Sequence, residues 1–254
     1  MTLFDTHAHL LSEQFDDDRA ELIERLPSLG ITGLIEIGTT TDDSRAAAAL
    51  AAEVDYIYAA VGVHPHEAKD APADYLEQLA ALAASPKVVA VGEIGLDYHY
   101  DFSPRDVQQQ VFSAQLALAN RLGLPVAIHM REATQDTLAI LREHSGITGV
   151  MHCYSGSPET AEILVELGLC VSFTGSVTFK NARKTVEAAA VVPLSRIMAE
   201  TDCPYLSPEP VRGRRNDPSH VRHVLQKLAD IKGISFDDMC RINIENAKGL
   251  YRIK

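Results

Sequence analysis

Short apolar segments alternate with helical segments along this chain, and that alternation restricts the possible folds more than any other feature. The segments with strand character lie at 3–9, 33–38, 56–63, 88–91, 125–129, 149–152, 169–173 and 196–202. Helical segments separate them, and two more helices, around 220–231 and 236–251, end the chain. Alternating strands and helices predict a parallel sheet with helices packed outside it.

Eight such repeats favour an α/β fold of one kind, a (β/α)8 TIM-type barrel with an extra C-terminal helix. An open doubly wound sheet is the alternative, but no GxGxxG turn follows the first strand. The 254 residues are 46% hydrophobic and can bury a large core. Because no linker or composition break is visible, the sequence predicts a single domain over residues 1–254.

Composition limits the partners and the compartment. The net charge of −12 argues against a broad surface that coats nucleic acid, although bound divalent cations could still attract a nucleic-acid substrate. No signal peptide and no bilayer-spanning apolar run is visible. The four cysteines are scattered and form no CxxC pair. We therefore expect a reduced, cytoplasmic protein without membrane contact.

Ionisable side chains stand where several predicted strands end, which is where barrels of this kind place their active sites. His7 and His9 are two positions apart on one strand, so both side chains point the same way and can grip one divalent metal. A single histidine at a strand end is more often a hydrogen-bonded loop residue, but the coincidence at one rim indicates a metal centre. The candidate ligands are His7, His9, Glu93, His129, His152 and Asp202.

Four histidines and two carboxylates suit two metal ions better than one. Glu93 has two carboxylate oxygens and can therefore bridge the pair. Two-metal sites hold their ions about 3.5–4 Å apart and stabilise both the attacking and the leaving oxygen. The mixed ligand set fits Zn, Mn or Mg and does not choose among them.

Several motifs, in order along nearly the whole chain, resemble the TatD family of metal-dependent hydrolases, within the amidohydrolase-like barrels. They are Asp5-Thr-His-Ala-His9, Gly62-Val-His-Pro-His66, Gly92-Glu-Ile-Gly-Leu-Asp-Tyr98, His129-Met-Arg-Glu-Ala133, His152-Cys-Tyr-Ser-Gly156, Thr178-Phe-Lys-Asn-Ala182, Glu200-Thr-Asp-Cys-Pro204, Arg214-Arg-Asn-Asp-Pro218 and Asn246. The resemblance implies a metal-dependent deoxyribonuclease, often a 3′ to 5′ exonuclease on single-stranded DNA, although the family also contains members with unsettled substrates.

The resemblance also implies roles for the candidate ligands. The ligands of one ion would be His7, His9, Glu93 and Asp202, and those of the other Glu93, His129 and His152. A bridging water or hydroxide would be the nucleophile, its pKa lowered by the metals. Asp202 is the candidate general base, with a purely ligating role as the alternative, so Asp202 and Glu93 are the candidate catalytic residues.

Weaker signals surround this centre. His64 could contact the phosphate, orient a ligand or be a structural loop residue, and Glu200 is expected to orient a ligand by hydrogen bonding. Tyr98 and Tyr154 could stack on bases or serve in packing. The cations that could pair with phosphates, or simply be solvated, are Arg131, Lys180 and Arg214.

Two other functions fit the same residues. The same barrel and metals could hydrolyse a small ester, amide or phosphotriester, although the cationic rim favours a phosphate substrate. A metal-bound scaffold without catalysis is the second alternative, and the full ligand set argues against it. No obligate protein partner is indicated, so the sequence favours a deoxyribonuclease acting on DNA.

Overall fold

The strands of the chain lie side by side in the order in which the sequence supplies them. The computed structural model describes residues 2–254, and within them one sheet has eight strands in the order β1 to β8. The strands are β1 Leu3–Ala8, β2 Ile31–Ile37, β3 Ile57–Val61, β4 Val88–Asp97, β5 Val126–Arg131, β6 Gly149–Met151, β7 Leu169–Phe173 and β8 Ile197–Ala199. Just after β8, Cys203 forms a parallel bridge with Ala8 of β1. This parallel order is that of a (β/α)8 barrel, and the predicted fold class is confirmed.

Helices connect the strands. They are α1 Arg19–Arg25, α2 Thr41–Glu53, α3 Tyr75–Leu82, α4 Arg105–Leu122, α5 Thr134–Glu143, α6 Pro158–Glu166, α7 Arg183–Val191, α8 Val221–Lys232 and α9 Phe236–Tyr251. Local sequence sets their ends: the Thr40 hydroxyl accepts a hydrogen bond from the Asp43 N–H at the start of α2, and Gly123 ends α4 in the left-handed conformation. Within residues 2–254, no helix combines the length and apolar character needed to cross a membrane.

Strand β4 is longer than the sequence predicts, and the added part carries site residues. The predicted strand stops at 91, whereas β4 continues to Asp97 with every residue buried. The sequence places Glu93 after the end of this strand, whereas it lies inside β4. The helix before this strand, α3, covers Tyr75–Leu82.

The described residues group into two compact units. The first unit consists of the residues up to Glu36, Cys153–Val165 and Cys170–Lys254. The second unit consists of Ile37–His152 and Glu166–Leu169. Each unit has its own buried apolar side chains, such as Phe4 in the first and Phe112 in the second. The single domain expected from the sequence stays a prediction.

Within the first unit, a buried amide connects the last helix to β1 and β8. Asn243 of α9 is 1% exposed. Its Oδ1 accepts from the Ala199 N–H at 2.8 Å, and its Nδ2 donates to the Phe4 carbonyl at 2.9 Å. Asn246, one turn later, donates to the Ile197 carbonyl at 2.8 Å. These bonds satisfy backbone groups of β1 and β8, so α9 is part of the packing that holds the two strands.

Candidate metal centre

A first group of metal-ligand side chains forms where β1 ends beside the segment that follows β8. The Asp202 N–H donates to the His7 carbonyl at 3.0 Å, and the His9 N–H donates to the Cys203 carbonyl at 2.9 Å. The side chains then converge: Nε2 of His7 lies 3.2 Å from Nε2 of His9, and Oδ1 of Asp202 lies 3.8 and 3.4 Å from these two atoms. We call His7, His9 and Asp202 the first ligand cluster.

Buried carboxylates hold the backbone around the first ligand cluster. Asp5 accepts from the Thr201 N–H at 2.8 Å, which fixes the residue before Asp202, and burial raises the pKa of Asp5 well above its usual value. Glu36 accepts from the N–H groups of Leu10 and Leu11 at 2.8 and 3.0 Å, just after His9. Asp202 itself has a φ of 55°, in the left-handed region that few residues other than glycine adopt. The surrounding hydrogen bonds therefore determine where this carboxylate points.

A second group of ligand side chains surrounds Glu93 in β4. Its Oε1 lies 2.9 Å from Nδ1 of His129, 2.9 Å from Nε2 of His152 and 3.6 Å from Nε2 of His64. The His152 N–H donates to the Ile128 carbonyl at 3.0 Å, which places the end of β6 beside β5. We call Glu93, His129, His152 and His64 the second ligand cluster. The resemblance implies that the first three hold one ion, with Glu93 shared by both ions, and His64 lies beside them as a further donor.

Asp97 supports the second ligand cluster from behind, and the sequence analysis missed it. Its Oδ2 lies 3.0 Å from Nε2 of His129 and 3.0 Å from Nε2 of His66, while the other nitrogen of His129 faces Glu93. Glu93 and Asp97 are four positions apart on one strand and therefore share a face. That spacing was the available signal, but it was missed because the predicted strand ended at 91. A carboxylate in this position fixes the ring and the tautomer of a metal-binding histidine.

Burial and neighbouring charges set the protonation of the second ligand cluster. Burial lowers the pKa of His64 to about 4, against the opposing effect of Glu93, so this ring is neutral at pH 7. Burial also lowers the pKa of His129, but hydrogen bonds with Asp97 and Glu93 raise it overall. Burial raises the pKa of Asp97, but hydrogen bonds led by that of His129 outweigh it and hold the pKa well below its usual value. Asp97 is thus charged at neutral pH.

Both clusters have the donor chemistry of a divalent-metal site. In each cluster, three donor atoms lie within 4.8 Å of one another: those of His7, His9 and Asp202 in the first, and of His64, Glu93 and His129 in the second. Imidazole nitrogen and carboxylate oxygen together suit Zn or Mn, and Mg binds through carboxylates while keeping several waters. The residues present therefore fit the divalent-metal centre that the sequence predicts.

The remaining predicted site residues lie in different surroundings. Glu200 is fully buried, and its carboxylate accepts from the Cys153 N–H and the Ser172 hydroxyl at 2.6 Å each, so it positions backbone. Tyr154 is 2% exposed and donates to the Ser157 carbonyl at 2.6 Å. The three predicted cations are all exposed: Arg131, Lys180 and Arg214.

Tyr98 is half-buried and engaged on two sides. Its hydroxyl donates to Asp136 at 2.7 Å, and the Arg105 guanidinium lies 4.3 Å from its ring centroid. Tyr154, the other tyrosine singled out by the sequence, packs edge-on against Phe173 at 6.3 Å. Both rings therefore take part in packing.

Replacing Asp97 by asparagine is expected to weaken metal binding about 10- to 100-fold, as loss of a carboxylate behind a ligating histidine does. The amide keeps the size of the side chain but removes the charge that holds His129. Competition with a chelating dye measures the affinity. Asp101→Asn is the matched control, because Asp101 is exposed and pairs with Arg105. Unchanged metal affinity in Asp97→Asn, with an unchanged melting temperature, would contradict this role.

A family model matches almost the entire chain. The model describes TatD-related DNases, and the match covers residues 4–252. The chain belongs to the TatD family. The resemblance to the TatD family seen in the sequence motifs is thereby confirmed.

Individual relatives agree with this TatD assignment. The chain is 45% identical over 253 residues to the uncharacterized metal-dependent hydrolase YabD of Bacillus subtilis (strain 168), covering 99% of both chains. It is 34% identical over 261 residues to the 3′-5′ ssDNA/RNA exonuclease TatD of Pectobacterium parmentieri (strain WPP163), covering 99% of this chain and 100% of that one.

A solved structure agrees as well. The crystal structure of YJJV, a TatD homologue from Escherichia coli K12, matches with a TM-score of 0.93 at 31% identity, covering 99% of this chain and 98% of that one. This TatD-family chain is therefore a metal-dependent hydrolase acting on ester bonds, as the sequence predicts.

Proposed function

We propose that this TatD-family chain is a two-metal nuclease that shortens single-stranded DNA from its 3′ end. The observation that carries the proposal is the pair of ligand clusters, each with three metal donors within 4.8 Å. Supporting it, relatives at 34% and 36% identity over 261 residues are named 3′-5′ ssDNA/RNA exonuclease. A two-metal centre suits phosphodiester hydrolysis, because it can stabilise both the attacking and the leaving oxygen.

The chain's residues divide the work in this proposal. His7, His9 and Asp202 would hold one ion, and Glu93, His129 and His152 would hold the other, with His64 beside them as a further donor. When bound, the ions lower the pKa of a coordinated water and offset charge on the phosphate. Asp202 keeps 15% of its side chain exposed and is the candidate to accept the proton of the attacking water. Arg131, exposed two positions after His129, is the candidate to pair with a phosphate. The assignment of Glu93 to both ions stays a prediction.

The test uses protein stripped of metal and reloaded with Mg, Mn or Zn in turn. A 5′-labelled single strand is expected to give a ladder that shortens stepwise from the 3′ end, with no cleavage by the metal-free protein. A 3′-labelled strand should release its label as a mononucleotide in the first step, which distinguishes an exonuclease from an endonuclease. A matched RNA strand and a duplex establish the strand preference.

Two results would contradict the proposal. Internal fragments of the labelled strand would show that the protein is an endonuclease and not an exonuclease. No cleavage of DNA or RNA with any ion, in protein shown to contain metal, would overturn the nuclease. Hydrolysis of p-nitrophenyl acetate or paraoxon by that same preparation would then favour the small-ester or phosphotriester alternative.

A further inference from the structure

Two exposed aromatic rings stand close to the second ligand cluster. Tyr100 and Phe102 follow β4, and 48% and 55% of their surfaces are exposed. Their ring centroids are 5.2 Å apart with an angle of 22° between the planes, so the rings are stacked. Leaving two adjacent aromatic side chains in water forgoes the stabilisation that burial would bring. We call Tyr100 and Phe102 the aromatic platform.

The platform is joined to the second ligand cluster by a continuous set of contacts. The His66 ring lies edge-on to Tyr100 at 5.4 Å and to Phe102 at 4.9 Å. Nε2 of His66 lies 3.0 Å from Oδ2 of Asp97, and that same oxygen lies 3.0 Å from Nε2 of His129. One histidine and one carboxylate therefore separate the platform from a candidate metal ligand, and both are held by hydrogen bonds.

A cation from the end of β5 lies over one ring of the platform. The Arg131 guanidinium lies 4.7 Å from the centroid of Tyr100, and Arg131 is exposed at the strand end, two positions after His129. An exposed aromatic pair with an arginine over one of its rings matches a ligand that has a flat aromatic part and an anionic part. A nucleotide in a single strand has both parts, a base and a phosphate.

We propose that the aromatic platform stacks on an unpaired base of a nucleic-acid strand whose backbone lies at the second ligand cluster, with Arg131 facing an adjacent phosphate. This inference rests on the proposed function and extends it to substrate binding. Every base offers a flat face, so the platform accepts any base of DNA or RNA. A paired base in a duplex hides that face, so the platform selects single strands.

The test measures binding without cleavage. The full chain, loaded with Mn²⁺, is titrated with a fluorescent single strand with phosphorothioate linkages, and anisotropy gives Kd. The double variant Tyr100→Ala/Phe102→Ala is expected to raise Kd about 10- to 100-fold. Tyr100→Leu and Phe102→Leu keep apolar bulk without an aromatic face, and each should raise Kd about 5-fold. Tyr100→Phe should bind as the wild type does.

A strand with abasic sugars near its 3′ end separates stacking from other effects. The wild type should bind this strand more weakly than the normal strand, and the variants should lose nothing further on it. Leu194→Ala is the control, since Leu194 is 38% exposed and lies in the segment before β8. Its Kd should not change.

Two results overturn the platform: an unchanged Kd in the double variant and both leucine variants, or an equal loss on normal and abasic strands. Cleavage plays no part in these measurements. If the platform variants lose binding as expected while no strand is cleaved, the nuclease proposal fails and the platform stands.

Discussion

Glu93→Gln is expected to reduce metal-dependent hydrolysis at least ~1000-fold. Glutamine preserves the volume of the side chain but not the charge of the oxygen that lies 2.9 Å from Nδ1 of His129 and 2.9 Å from Nε2 of His152. Charge stabilisation by a bound metal ion is worth several kcal/mol in the transition state, and each 1.4 kcal/mol corresponds to tenfold in rate. Glu93 is 3% exposed, so water cannot replace the lost ligand easily.

Metal content measured together with rate makes this experiment specific. If Glu93 binds both ions, the purified variant should lose both; if it binds one, about one ion per chain should remain. Glu132→Gln is the matched control, because Glu132 is exposed and pairs with His99 at 2.8 Å. Full hydrolysis by Glu93→Gln in protein that still folds would show that Glu93 is not a catalytic ligand.

Gly95→Ala is expected to destabilise the chain by about 4 kcal/mol, from overpacking and from backbone strain together. Gly95 has a φ of 143°, a conformation that L side chains rarely adopt, and an added Cβ would lie 1.9 Å from the carbonyl oxygen of His129. The two residues are register partners in β4 and β5, so relief of the clash requires the strands to separate. Because Glu93 and His129 sit on these strands, metal affinity should fall as well.

Thermal unfolding measures the loss of stability in Gly95→Ala. A melting temperature about 10 °C lower is expected for a chain of this size. Gly249→Ala is the control. Gly249 lies in α9 with open space within 4 Å of an added Cβ, so alanine there should be neutral or stabilising by up to about 1 kcal/mol. A melting temperature for Gly95→Ala equal to that of the wild type would mean that β4 and β5 can separate at no cost.

The parts of the fold that could be predicted are those that depend on the local periodicity of apolar residues. Strand and helix alternation depends on neighbouring residues, and it predicted the order of the sheet. The spacing of His7 and His9 likewise predicted their convergence, and their Nε2 atoms lie 3.2 Å apart. The end of β4 was missed because glycine at 92 and 95 usually marks a turn, whereas these glycines allow close strand contact, as at Gly95.

Contacts between distant residues could not be predicted in this way. Asp97 contacts His66 and His129, which lie 31 and 32 positions away in the sequence, and no local pattern predicts these contacts. The choice between neighbouring aromatic residues has the same difficulty. Tyr98 is half-buried with its hydroxyl bonded to Asp136, while Tyr100, two positions later, is 48% exposed. The exposure of each ring depends on partners that the linear sequence does not identify.

The bond between Asp5 and Thr201 joins residues 196 positions apart, and it has a consequence for synthesis. The β1 strand leaves the ribosome well before its β8 neighbour, because the two strands are far apart in the sequence. At 5–20 residues per second, the interval between His9 and Asp202 is roughly 10–40 s. During that time β1 has an unpaired edge, which is a site for aggregation or for chaperone binding. The first ligand cluster lacks its carboxylate until Asp202 emerges, so a nascent chain cannot assemble the complete metal centre ahead of the fold that contains it.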